Sequence, residues 1–193
     1  MQLNIQLDLS LRKVFLALVG TSLFFLIFDA IAYSFSQSFP KQFREVVDIT
    51  KEYNQPTWFS STQLLFVGLC AYFVGNLKRR QGEGKKALGW FVIAIFFAYM
   101  GIDDASQLHE RAGTVIGDAV NQSDADILFI NAVKRFPSYY WLIILLPIFG
   151  GFGLFMLIFL SQELESKGVM QLFRGGILFY VVALGLDYFD GIY

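Results

Sequence analysis

Five long apolar stretches constrain this chain more than any other feature of its sequence. A helix that crosses the hydrocarbon core of a bilayer needs roughly 20 mostly apolar residues, and each stretch has about that length. Charged residues make up only 16% of the 193 residues, against about 25% in a typical soluble domain. We therefore predict an all-α integral membrane bundle of about five transmembrane helices in a single domain, residues 1–193. The predicted spans are 14–35, 58–77, 87–106, 139–160 and 175–193.

The positions of Lys and Arg predict the orientation of the bundle. Residues 78–86 form a short loop that contains Lys78, Arg79, Arg80, Lys85 and Lys86, and short loops rich in Lys and Arg lie on the cytoplasmic side. Because successive loops alternate between the two sides, the N-terminus and the 161–174 loop are also predicted to be cytoplasmic. The 36–57 and 107–137 loops are then predicted to be outside.

Two local patterns within this topology lead to further expectations. The N-terminal apolar stretch also fits a secretory signal with cleavage after Ala30-Ile31-Ala32, but we interpret it as an uncleaved first span. In the fourth span, Pro147 and the glycines of 150–153 predict a kink or a close helix crossing. The segment 113–137 is predicted to be a long polar connection.

Composition excludes several classes of function. The net charge of −1 provides no basic field for nucleic acid, so the expected partners are membrane lipid and other membrane subunits. The single Cys70 rules out a disulfide framework and a thiolate metal site. The one histidine, His109, and the lack of an H-E-x-x-H motif fit poorly with histidine-rich membrane hydrolases.

Ionisable residues within the predicted spans are the best clue to function, since each costs about 2.5–3.5 kcal/mol at a helix centre. Counted from the basic end of its own span, each carboxylate lies about 13–17 residues along the helix. At 1.5 Å per residue this depth is roughly 20–26 Å, near the outer face of a ~30 Å core. The acids counted in this way are Asp29, Asp103, Asp187 and Asp190.

Carboxylates that share one depth repel one another unless they are protonated or bridged by a cation. Hard divalent ions prefer carboxylate oxygens, and one added imidazole makes Mn or Fe suitable. We therefore predict a divalent metal ion as cofactor, with the candidate ligands Asp29, Asp103, His109, Glu110, Asp187 and Asp190. Two alternatives stay open: protonated carboxyl groups on a proton or cation path, and acids that only cap helix ends and extend into the headgroup region.

Four further residues are predicted at the rim of this pocket. The third helix is expected to continue past His109, which places Gln107 on the same face as Asp103 and leaves Asp104 off its edge. Glu52 and Asn54 are predicted to lie on the same outer side, in the connection before the second span.

Two segments carry a resemblance to a known group of proteins. Glu52-x-Asn54-x-Pro56-Thr57-Trp58-Phe59-Ser60-Ser61 resembles an E-x-N-x-P-T-W-[FY]-S-S segment, and Asp103-Asp104-x-x-x-x-His109-Glu110 resembles a D-[DE]-x-x-x-x-H-E segment. Both segments are similar to motifs of uncharacterised bacterial multi-span membrane proteins. The resemblance implies a location in the bacterial inner membrane, and it implies no particular chemistry.

Three functions fit these observations. The leading hypothesis is a multi-pass inner-membrane protein with a carboxylate/His site near the periplasmic face, which binds a metal and acts as a hydrolase or transferase. The alternative is a non-catalytic accessory subunit of a larger membrane complex. The third is a proton or cation conductor. No predicted span carries a charge in its inner half, which argues against this third function.

Overall fold

The computed structural model describes residues 2–35, 38–51, 53–122, 140–164 and 166–190. Within these ranges it describes the backbone alone for residues 2–11, 121, 140–144, 146, 184 and 186–190. The described chain is all-α, which confirms that part of the predicted fold class. Its seven helices are α1 (Gln2–Ser34), α2 (Lys41–Val47), α3 (Gln55–Arg80), α4 (Gly84–Ser106), α5 (Leu108–Asn121), α6 (Tyr140–Glu163) and α7 (Lys167–Asp190).

Three helical segments of the described chain are long and apolar enough to cross a membrane. They are Arg12–Ser34 of α1, Gln55–Arg80 of α3 and Gly84–Ser106 of α4, and they coincide with the first three predicted spans. The predicted fourth and fifth spans fall on α6, which contains a shorter apolar segment at Pro147–Glu163, and on α7. The helices of these two spans are present, and their passage through a membrane stays a prediction.

Contacts between helices divide the chain into two compact units, and the first comprises residues 1–77 and 94–106. Glycines bring α3 and α4 together in this unit. A Cβ atom added at Gly68 would lie 3.0 Å from the carbonyl oxygen of Ala94, and one added at Gly101 would lie 3.0 Å from the carbonyl oxygen of Ser61. The two backbones therefore approach as closely as small residues permit.

Aromatic rings attach the first two helices to this unit. The rings of Phe25 and Phe59 lie 5.6 Å apart and join α1 to α3. Those of Phe28 and Phe43 lie 5.9 Å apart and join α1 to α2. Edge-to-face and tilted pairs at such distances are favourable arrangements of aromatic side chains.

The second unit comprises residues 78–93 and 107–193, and in it the start of α4 packs against the end of α6. The rings of Trp90 and Phe159 lie 5.8 Å apart, and a Cβ atom at Gly89 would overlap the ring of Phe159. By contrast, Gly150, Gly151 and Gly153 face open space among the described residues. The close crossing expected at those three glycines is instead found at Gly89.

A glycine C-cap forms the turn between α3 and α4. Gly82 has a φ of 81°, and its N–H donates to the carbonyl of Arg79 at 3.1 Å. The N–H of Glu83 donates to the carbonyl of Lys78 at 3.0 Å. These two bonds satisfy carbonyls at the end of α3 and fix the turn tightly.

The prediction of an unbroken third helix past His109 is wrong. Gln107 adopts the left-handed conformation, with φ 55° and ψ 38°, and separates α4 from α5. The polar connection predicted from residue 113 is also wrong up to Asn121, because α5 continues to that residue. Buried Gly113, Gly117 and Val120 recur at helical spacing along α5, a pattern that its polar residues obscured.

Candidate functional site

A carboxylate and two hydroxyls form a compact polar group in the first unit. Ser60 Oγ and Ser61 Oγ donate to Asp104 Oδ2 at 2.5 and 2.6 Å, at the short end of the range for hydroxyl hydrogen bonds. The same hydroxyls lie 3.0 and 2.8 Å from the carbonyl oxygen of Thr57. Each hydroxyl has one proton, so at any moment each serine donates a hydrogen bond either to the Asp104 carboxylate or to the Thr57 carbonyl. The Asp104–Ser60–Ser61 group is named the carboxylate–serine site.

Asp103 and Asp104 have different surroundings although they are adjacent. Asp103 is only 4% exposed and Asp104 is half-buried. Consecutive helical side chains point about 100° apart, so the two carboxylates face different neighbours. A buried carboxylate needs polar partners, and Asp103 takes part in such interactions within the chain.

Asn54 caps the helix that carries both serines. Its Oδ1 accepts from the backbone N–H of Thr57 at 3.1 Å, and from the Thr57 hydroxyl at 3.1 Å. Its Nδ2 donates to the carbonyls of Lys51, at 2.8 Å, and of Asp48. A bond from an Asn side chain to the third residue of the helix is an N-cap. The cap fixes where α3 begins, and therefore where Ser60 and Ser61 lie.

The loop before α3 is held by short-range polar bonds. Asp48 Oδ1 accepts from the Thr50 hydroxyl at 2.5 Å and from the Thr50 backbone N–H at 3.0 Å. The bond from the Thr50 side chain holds the pKa of the Asp48 carboxyl below its ordinary value, although partial burial acts in the opposite direction. Hydrogen bonds within the loop therefore hold it in place next to the start of α3, where the two serines lie.

The other predicted site residues fall in different places. Asp29 is half-buried in α1 of the first unit, and His109 and Glu110 lie at the start of α5 in the second. Asp187 and Asp190 lie in α7, with side chains outside the described part, and Glu52 lies outside the described residues altogether. Among the side chains that are described, no three His, Cys, Asp or Glu groups are close enough to hold a metal ion. The metal site that includes Asp187 and Asp190 therefore stays a prediction.

A second polar group, which the sequence analysis missed, surrounds Glu163 at the end of α6. Its side chain is only 4% exposed and lies 3.4 Å from both Lys78 Nζ and Lys86 Nζ. The Trp90 indole N–H donates to it at 3.4 Å. A nearly buried carboxylate with two cations and a ring donor has the partners that burial requires. The sequence signal was an acid at the end of an apolar run, on the same predicted membrane side as the basic loop.

Glu83 completes this group, which is named the Glu163 cluster. Its carboxylate lies 3.0 Å from Lys86 Nζ and 3.1 Å from Lys78 Nζ. Hydrogen bonds from Lys86 and then Lys78 hold the pKa of the Glu83 carboxyl below its ordinary value. Two lysines of the basic loop are therefore paired with two carboxylates, and the loop is bound to the end of α6.

Comparison with known proteins shows the family of the chain. A family model described as a domain of unknown function, DUF8692, matches residues 12–193. The match covers the described helices except residues 2–11 of α1, and it includes every predicted site residue. No curated protein and no solved structure matches the chain. The chain belongs to the DUF8692 family.

Proposed function

We propose that this chain is a five-span protein of the bacterial inner membrane, with its N-terminus in the cytoplasm, that binds a divalent cation near the periplasmic face. The observation that carries the proposal is the carboxylate–serine site, where Asp104 is fixed by two hydroxyls beside the buried Asp103. Carboxylate and hydroxyl oxygens are ligands that hard divalent ions accept.

The Glu163 cluster supports the proposed topology. Lys78 and Lys86 flank the α3–α4 turn, and both lie 3.4 Å from the Glu163 carboxylate at the end of α6. The turn and the end of α6 would then lie at one membrane face. A chain that leaves this face in α4 and returns to it in α6 crosses the membrane in both helices. With α1, α3 and α7, this gives five spans.

The position of the acids along α4 supports a site near the opposite face. Asp103 follows Lys86 by about 17 residues of continuous helix, which corresponds to roughly 25 Å at 1.5 Å per residue. The hydrocarbon core is ~30 Å thick. With the basic turn in the cytoplasm, Asp103 and Asp104 would lie close to periplasmic water and to ions dissolved in it.

The hydrogen bonds at the site allow a cation to take the place of the serine protons at the Asp104 carboxylate. A cation bound to Asp104 would displace the two serine protons from the carboxylate. Both hydroxyls already lie within hydrogen-bond distance of the Thr57 carbonyl, so neither would lose its acceptor. A bound divalent ion lowers the pKa of its water and polarises a substrate oxygen. The reaction class that fits is hydrolysis or group transfer at the outer leaflet.

Titration of the purified full-length protein with Mn²⁺, followed by electron paramagnetic resonance, tests this proposal. We expect saturable binding of Mn²⁺ that is lost in Asp103→Asn and Asp104→Asn. The matched control is Asp118→Asn, which removes an exposed acid of α5 and should leave binding unchanged. Absence of saturable binding in the natural protein, or equal loss in all three variants, would overturn the cation proposal.

A second candidate function is a non-catalytic subunit of a larger membrane complex. It is favoured by the fact that Ser60 and Ser61 already satisfy Asp104, together with the absence of a three-residue metal group among the described side chains. This function predicts no Mn²⁺ binding. It also predicts that the tagged chain co-purifies with a fixed set of membrane proteins in mild detergent.

A further inference from the structure

The basic loop divides into two kinds of cation. Lys78 and Lys86 are neutralised by Glu83 and Glu163. The remaining three cations, Arg79, Arg80 and Lys85, are exposed. Within the part of the chain that the structure describes, no ion pair is found for any of these three, which are named the free cations.

Helix stability explains the positions of the two arginines but not that of Lys85. Arg79 and Arg80 lie in the last turn of α3, where positive charge interacts favourably with the helix dipole. Lys85 lies in the first turn of α4, which contains no acidic residue, and there a positive charge opposes the dipole. The helix dipole therefore does not account for a positive charge at Lys85.

The glycine C-cap holds the free cations close together. The bonds of Gly82 to Arg79, and of Glu83 to Lys78, fix the turn, so Arg80 and Lys85 are joined by a short and ordered connection. Pairing of Lys78 and Lys86 with Glu163 anchors both ends of this connection to α6. A binding surface ordered in advance loses less conformational entropy when its ligand arrives.

We propose that Arg79, Arg80 and Lys85 bind the phosphate groups of anionic phospholipids in the cytoplasmic leaflet, an inference that rests on the proposed orientation of the chain. The planar guanidinium groups of the two arginines match the geometry of phosphate oxygens. Anionic lipids give this leaflet a negative surface potential, which attracts basic segments next to a span. The lipid is therefore recognised by its charge and phosphate, as a phosphatidylglycerol headgroup would be.

The test is titration of the full-length protein in neutral detergent with phosphatidylglycerol and with phosphatidylcholine, monitored by native mass spectrometry. We expect the natural protein to prefer phosphatidylglycerol. Removal of two cations by Arg79→Gln/Arg80→Gln should weaken phosphatidylglycerol binding roughly 30-fold and lower the melting temperature only slightly, through the lost interaction with the helix dipole. Unchanged phosphatidylglycerol binding in this variant would overturn the proposal.

Two control variants remove the same amount of charge elsewhere. Lys78→Gln/Lys86→Gln acts on the same loop but removes the neutralised cations that anchor it, so it should lower the melting temperature and keep most of the lipid preference, with phosphatidylglycerol binding weakened less than in Arg79→Gln/Arg80→Gln. Lys41→Gln/Lys51→Gln acts on the connection before α3 and should also keep the lipid preference. If either control loses the preference as fully as Arg79→Gln/Arg80→Gln, net charge and not the free cations governs binding, and the proposal fails.

Inorganic phosphate distinguishes a lipid ligand from a soluble one. We expect phosphatidylglycerol binding to persist in millimolar phosphate, and full displacement by phosphate would overturn the assignment to lipid. The Mn²⁺ titration of the Asp103 and Asp104 variants is independent of this loop. Failure of the lipid proposal would therefore leave the Mn²⁺ result, and the proposed cation function, unaffected.

Discussion

Ser61 of α3 donates a hydrogen bond of 2.6 Å to the Asp104 carboxylate of α4, and this bond has a built-in asymmetry. Ser61 is only 3% exposed, yet its hydroxyl has a second acceptor at 2.8 Å, the Thr57 carbonyl. If Asp104 is changed, the serine keeps an acceptor. If both serines are changed to alanine, the half-buried Asp104 carboxylate loses two hydrogen-bond donors.

We therefore predict that Ser60→Ala/Ser61→Ala destabilises the protein more than Asp104→Asn does. Loss of hydrogen bonds to a charged group costs on the order of 2–3 kcal/mol, whereas the amide group introduced by Asp104→Asn still offers a carbonyl oxygen to both hydroxyls. Thermal unfolding in detergent compares the variants. The control is Thr62→Ala, whose exposed hydroxyl bonds only to the carbonyl of Trp58 among the described residues. An equal loss in Asp104→Asn and in the double variant would contradict the asymmetry.

Asn54 is predicted to stabilise the start of α3. Asn54→Ala removes the N-cap bond to Thr57 and both bonds to the preceding loop, so we expect a loss of about 1–2 kcal/mol. Asn76→Ala is the matched control, since among the described residues Asn76 bonds only to the carbonyl of Tyr72 within α3. Hydrogen exchange of residues 54–58 should accelerate in Asn54→Ala alone. Unchanged exchange there would show that Asn54 does not cap the helix.

The glycines of the first unit are predicted to respond to alanine in opposite directions. A Cβ atom at Gly68 would lie 3.0 Å from the backbone oxygen of Ala94 and 3.2 Å from the backbone nitrogen of Ala98. Neither atom can move without a shift of α4, so Gly68→Ala should destabilise the protein by about 1–3 kcal/mol. Among the described residues, Gly20 of α1 has open space around it, so Gly20→Ala should be neutral or stabilising by up to about 1 kcal/mol. Equal melting temperatures of the two variants would contradict the observed packing of α3 on α4.

The stability of the second unit is predicted to depend on pH through Glu83. Because Lys86 and Lys78 lower the pKa of its carboxyl, the unfolded chain binds a proton at higher pH than the folded chain. The stabilisation is complete above the ordinary pKa of Glu and is lost as pH falls through the lowered value. The melting temperature should therefore begin to fall as pH drops towards the ordinary pKa of Glu, about 4.3, and should continue to fall below it, less steeply in Glu83→Gln. Glu110→Gln, which removes an exposed acid with no described ion pair, should keep the natural slope. Identical slopes in all three proteins would exclude Glu83 as a contributor.

Long apolar runs predict the helices of this chain well, because burial in lipid requires a helix of about 20 residues whatever its neighbours are. The breaks between helices are less predictable. Gln107 adopts a left-handed conformation that residues other than glycine seldom take, and nothing in its local sequence demands a break there. The glycine C-cap at Gly82 and the N-cap at Asn54 do have local signals, a glycine after a basic last turn and an asparagine before a proline.

Interactions between residues far apart in sequence account for the other features of the structure that the sequence did not predict. Depth counting drew attention to the neighbouring Asp103, and helical phase alone placed Asp104 at the pocket rim, because the position of Ser60 and Ser61 relative to Asp104 depends on how α3 packs against α4. Glu163 attracted no attention because its significance depends on two lysines more than 70 positions away. Patterns along one helix carry no information on such pairs.

In the proposed topology, the carboxylate–serine site lies on the periplasmic side and the basic turn on the cytoplasmic side. Single cysteines at Lys41→Cys, before α3, and at Gln81→Cys, in the turn after it, test this directly in a Cys70→Ala background, with a maleimide that cannot cross membranes. We predict that Lys41→Cys is labelled in intact spheroplasts and that Gln81→Cys is labelled only after permeabilisation. Labelling of Gln81→Cys in intact spheroplasts, with Lys41→Cys protected, would contradict the account.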